Sequence, residues 1–70
     1  MTRAEFLKDR IANCRRNLLL PNRAYPNGRM SHEVEREALG KAESDLFDLM
    51  LDGEFYADGS FARFADEVSA

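Results

Sequence analysis

A chain of 70 residues has room for one domain, and at that size a single core contributes only roughly 3–5 kcal/mol unless a disulfide, a metal or a second subunit adds to it. One cysteine and one histidine cannot assemble an intrachain disulfide or a zinc site, so no metal and no cofactor are expected. The net charge of −3 conceals a division: residues 1–29 carry seven basic side chains against two acidic, a net +5, and residues 30–70 carry three against eleven, a net −8.

Such a split points to pairing within the fold, between copies, or with a charged partner. The overall negative charge disfavours duplex DNA binding by the whole chain. The longest apolar run, Leu18-Leu19-Leu20, stops at Pro21, and Phe6-Leu7 runs straight into Lys8-Asp9-Arg10. Neither a membrane span nor a signal-peptide core is read there, so a soluble cytoplasmic protein is expected.

Thr2 followed by Glu5 is a capping-box signal for a first helix over about residues 2–19. Ala4, Leu7, Ile11, Cys14 and Leu18 recur at alternating three- and four-residue steps, the seam of an antiparallel helix pair, which makes Cys14 a small core residue rather than a nucleophile. Phe6 falls on the opposite side of that helix. Pro21 ends it.

Leu20 to Ser31 is a long connection for two helices, and its Pro26-Asn27-Gly28 predicts a type I or type II turn. Arg15, Arg16, Arg23 and Arg29 cluster in sequence around it. Arginine presents a planar fork that matches phosphate, and Tyr25 could stack on a base, so this region is a candidate site for an anionic, nucleotide-like ligand. The structural alternative is that these cations complement the helix end and pair with the acids of the next helix.

Ser31 is read as the N-cap of a second helix over about residues 32–52, with Gly53 as a left-handed stop. Leu39, Ala42, Leu46, Leu49 and Met50 form its main apolar stripe. Gly40, Phe47 and Leu51 form a second stripe, a contact surface expected to be approached closely by the C-terminal segment or by another copy of the chain, and with Phe6 they are the expected oligomer surface. Asp45, Asp48 and Asp52 form an acidic face that could occupy a basic groove on a partner.

The last stretch has two readings. Phe61, Phe64, Ala65 and Val68 have helical spacing after Ser60, which favours a short helix over about residues 60–68. The other reading pairs Glu54-Phe55-Tyr56 with Phe61-Ala62-Arg63 around Asp58-Gly59, and is disfavoured because isolated hairpins are marginal in water. No internal repeat is visible.

The expected architecture is therefore all-α: a helical hairpin plus a short third helix, one domain, oligomeric. No catalytic constellation is read. His32 beside Ser31 and Glu33 lies on one helical turn and cannot converge as a triad. The leading expectation is a non-enzymatic interaction protein, an adaptor or inhibitor that binds another protein, of the kind a phage accessory protein uses to block a host system. The alternative is an oligomer that sequesters an anionic nucleotide through Arg15, Arg16, Arg23, Tyr25 and Arg29.

Overall fold

The computed structural model describes residues 1–68. Helices α1 (Arg3–Leu18) and α2 (Ser31–Leu51) pack as an antiparallel hairpin, as the two apolar stripes require. A two-stranded antiparallel sheet comes next, β1 (Glu54–Phe55) with β2 (Phe61–Arg63), and a single turn of helix α3 (Ala65–Val68) ends the described chain. The protein is mostly helical but not all-α, and the third helix is far shorter than its spacing suggests.

The core is a narrow seam. Leu7 and Ile11 of α1 are buried with Ala42 of α2, Leu39, Leu46 and Leu49 pack half-buried against them, and Ala4 and Cys14 are buried along the same stripe of α1. Among the described residues no large side chain is wholly removed from solvent. The molecule is correspondingly slender, measuring 49 × 23 × 16 Å.

Both helix starts depend on distant residues. At α1, Thr2 Oγ1 accepts from the Glu5 amide at 3.1 Å, half of the capping box. The Ala4 amide donates instead to Asp66 Oδ2 at 2.7 Å, a side chain from α3. At α2 the N-cap is Met30, not Ser31, and its side chain has nothing to offer. Asn22 supplies the cap from the connection: its Oδ1 accepts from the His32 amide at 3.0 Å and from the Ser31 hydroxyl at 3.4 Å. The Ser31 hydroxyl is thereby aimed at the loop, where it accepts from the Arg23 amide at 2.8 Å.

The connection itself is a small ribbon closed by a turn. The Gly28 amide donates to Tyr25 O at 2.9 Å and the Tyr25 amide to Arg29 O at 2.7 Å. Gly28 has φ +87°, and no other residue type has positive φ among the described residues. That rules out the type II geometry at Asn27 and fits type I with a left-handed glycine after it. Asn27 Oδ1 accepts from the Arg29 amide at 3.0 Å.

The same turn geometry then recurs further along the chain. Gly59, φ +90°, donates to Tyr56 O at 2.9 Å, the Tyr56 amide donates to Ser60 O at 2.8 Å, and Asp58 Oδ1 accepts from the Ser60 amide at 2.9 Å. Tyr25-Pro26-Asn27-Gly28 and Tyr56-Ala57-Asp58-Gly59 are equivalent segments, each a few residues beyond a helix that ends in leucine.

The hairpin displaces the helix expected over about residues 60–68 because it does not stand alone. Phe55 and Phe61 meet edge to face at 5.8 Å across the strands, and Arg63 Nε donates to Glu54 Oε2 at 2.7 Å. Phe61 in turn packs edge to face on Phe64 at 4.8 Å, and Phe64 is 8% exposed against the helices with Lys8 Nζ 4.5 Å over its ring. Docking on the helices removes the objection that a lone hairpin is marginal. Gly53 permits it in an unexpected way. Its φ is not positive, so it is no left-handed stop; a Cβ there would collide with the Arg63 carbonyl and press on Phe64 Cα at 3.1 Å.

Candidate functional site

One flank of the helical hairpin is an open apolar groove of about 500 Å³. Ile11 and Ala12 of α1 form its floor on one side, and Leu46, Phe47 and Met50 of α2 form the other wall. Phe64 closes the end, delivered there by the second turn. The rim is charged: Lys8 and Arg15 stand on the α1 side and Glu43 on the α2 side, with Arg15 Nη2 3.8 Å from Glu43 Oε1. Phe47 is 55% exposed, an expensive arrangement for an aromatic ring unless something covers it.

The opposite flank has a different chemistry. Asp45, Asp48 and Asp52 do come together, lining a shallow depression of about 190 Å³ with Leu49 and Arg3. Arg3 Nη2 approaches Asp45 Oδ2 at 3.9 Å and leaves Asp48 and Asp52 facing solvent. The i, i+3 and i, i+4 spacing dictates this shared face.

The arginines that cluster in sequence separate in space. Arg15 belongs to the groove rim. Arg16 projects from the last turn of α1, where a cation complements the helix dipole. Arg29 is held by α2, its Nη2 2.6 Å from Glu37 Oε1 and 3.1 Å from Glu33 Oε1; those carboxylates push its guanidinium pKa up, Glu37 foremost. Only Arg23 and Tyr25 remain together, lining a pocket of about 320 Å³ at the loop end with Asn17, Leu20, Pro21, Ser31 and Glu35. Glu35 brings an acid into that pocket, which opposes a phosphate. The three pairs Arg3–Asp45, Arg15–Glu43 and Arg29–Glu37 show where the sequence's charge division goes: the basic helix lies alongside the acidic one. Being exposed, these pairs are screened by solvent and add little to stability.

The residues read as an oligomer surface divide as well. Phe47 is a wall of the groove, and Leu51 is 55% exposed one helical turn beyond it. Gly40 lies on the same side of α2, and among the described residues nothing outside the helix's own backbone stands within 4 Å of where its Cβ would be. Phe6 is 51% exposed on α1 but does not line the groove. His32 is structural: its Nε2–H donates to Leu20 O at 2.6 Å and so pins the end of α1's extension to the start of α2. Cys14 is buried, and desolvation, then the neighbouring Glu35, pushes its thiol pKa up, away from nucleophilic use.

Sequence reasoning missed Lys8, Ala12, Met50 and Phe64 as site residues. Periodicity assigns Met50 and Phe64 to core stripes, and only the hairpin's return shows that they finish a groove. No protein-family model, no curated protein and no solved structure matches this chain.

Proposed function

We propose that this chain is a small helical interaction protein, an adaptor or inhibitor that acts by holding another macromolecule rather than by carrying out chemistry. The apolar flank built from Ile11, Ala12, Leu46, Phe47, Met50 and Phe64 carries this reading. A slot that is apolar at its centre and charged at its rim has the anatomy of a protein–protein contact, and the half-exposed Phe47 is the kind of aromatic anchor that dominates such contacts. An inhibitor of the phage-accessory type, which needs only a surface, fits the same anatomy.

The test is a photo-crosslinking amino acid placed at Phe47 and, as a control, at Lys41 on the other side of α2, in cells that make the protein. Adducts from position 47 and none from position 41 are expected. Equal adducts at both positions would sink the reading. The nucleotide-binding alternative draws support from the Arg23–Tyr25 pocket alone. Loss of a co-purifying anion in Arg23→Ala, with the Phe47 crosslink unchanged, would favour it instead.

A further inference from the structure

We infer that a second copy of this chain packs on the outer edge of the apolar flank, in a two-fold dimer that sets α2 antiparallel to α2 with Phe47 of each copy seated on Gly40 of the other. This rests on the reading of Phe47 as part of an interaction surface and names what that ring meets.

Surface area gives the first argument. The chain exposes 5142 Å², about 700 Å² more than the ~4,450 Å² expected of a compact 8.0 kDa monomer. Its radius of gyration is 15.3 Å, against about 11 Å for a compact domain of this length. The excess is close to the roughly 800 Å² that each partner of a standard interface covers.

Gly40 gives the second. A glycine inside a helix is destabilising relative to alanine, and a close approach would justify it; yet among the described residues nothing outside the helix's own backbone lies within 4 Å of its Cβ position. Gly40 and Phe47 are seven residues apart, two turns of one helix face. In an antiparallel pair related by a two-fold axis between Glu43 and Ser44, residue 40 of one copy faces residue 47 of the other, twice over. A bulky ring and a bare backbone on one stripe are a knob and its own hole.

The remaining pairs across that axis are compatible. Leu51 faces Arg36, whose aliphatic stem can cover it, and the two copies of Glu43 meet beside the axis, each with its own Arg15 guanidinium 3.8 Å away to offset the like charge. Asp45, Asp48 and Asp52 lie on the other side of α2 and stay open in both copies. The dimer therefore displays two acidic flanks, related by symmetry, on its outer surface.

The decisive experiment is sedimentation equilibrium on the full chain, wild type against Gly40→Leu and Phe47→Ala, with helicity followed by circular dichroism. Leucine at 40 has open space and better helix propensity in the monomer, so a monomeric protein would gain stability and lose nothing. The dimer predicts a wild-type dimer at micromolar concentration, and a dimer Kd raised at least about tenfold in both variants with helicity retained. A wild type that is monomeric throughout, or a dimer that Gly40→Leu leaves untouched, overturns the inference. If the chain is monomeric and the Phe47 crosslinker still captures a different protein, the second copy is refuted while the interaction reading stands. If it is monomeric and captures nothing, both fall.

Discussion

At Tyr25–Arg29 and again at Tyr56–Ser60 the chain makes the same turn, with the same glycine amide bonded to the tyrosine carbonyl and the same Asx side chain accepting from the amide after the glycine. The first is the connection between the long helices, its tyrosine facing an open pocket. The second is drawn against the flank of those helices. The segment beyond each glycine makes the difference. After Gly28 the chain enters α2 within three residues, leaving no segment free to reach anything else. After Gly59 it runs extended as β2, and Phe61 and Phe64 ride on that extension back to α1 and α2. A turn sets direction; the side chains beyond it decide whether the direction stabilises anything.

The sharpest way to break the contrast is Phe64→Ala. Phe64 is the buried residue among those described after α2, and its loss should cost about 3 kcal/mol, most of the stability available at this size; a thermal melt reads it directly. A cost below about 1 kcal/mol would mean the second turn is as detached as the first. Gly53→Ala comes next, at about 2 kcal/mol, since the new methyl meets the backbone of Arg63 and Phe64 rather than a movable side chain. Urea unfolding measures it, and Phe61 and Phe64 should show the largest chemical-shift changes.

Asn22→Ala addresses the first turn and should cost about 1 kcal/mol, the loss of a helix cap, with amide exchange faster at His32 than anywhere in α1. The smallest effect is one of pH. The Cys14 thiol keeps its proton above its ordinary value of 9.0 in the folded state. Stability tied to it is complete below that pH and declines as pH rises through the folded value, because the unfolded chain loses the proton first. Comparing wild type with Cys14→Ala between neutral and alkaline pH isolates the decline; parallel curves would show that Glu35 and burial do not act on this thiol.

How far the fold is legible in the sequence differs by region for the same reason. The α1 seam is legible because Ala4, Leu7, Ile11 and Cys14 sit on a helical period and are all buried. The start of α2 is placed correctly to within a residue, but for a mistaken cause: a serine before an acidic run predicts a self-supplied cap, whereas Asn22 supplies it from nine or ten positions away. Phe61, Phe64, Ala65 and Val68 satisfy helical spacing, yet Phe61 lies in a strand, because Asp58-Gly59 and the aromatic pair outweigh periodicity. Gly53 reads as a stop signal by type, while its real constraint is a neighbour that sequence cannot see.

For the site, the acidic trio is legible since one helix carries it, and the groove is not, since Phe64 arrives from elsewhere. Four arginines close in sequence point in different directions, because fifteen residues spanning a helix end and a turn do not share a face.

The bond between the Ala4 amide and Asp66 joins residues 62 apart, while the contact between α1 and α2 joins two elements consecutive in the chain. That disparity sets the order of folding. The helical hairpin can condense from local encounters, and the C-terminal latch closes on a surface that must already exist. Weakening the latch with Asp66→Asn should hence leave the refolding arm of a chevron nearly unmoved and raise the unfolding arm; a slowed refolding arm would place the latch in the nucleus instead. A bond that forms last of all acts on how long the folded state persists more than on how fast it is reached.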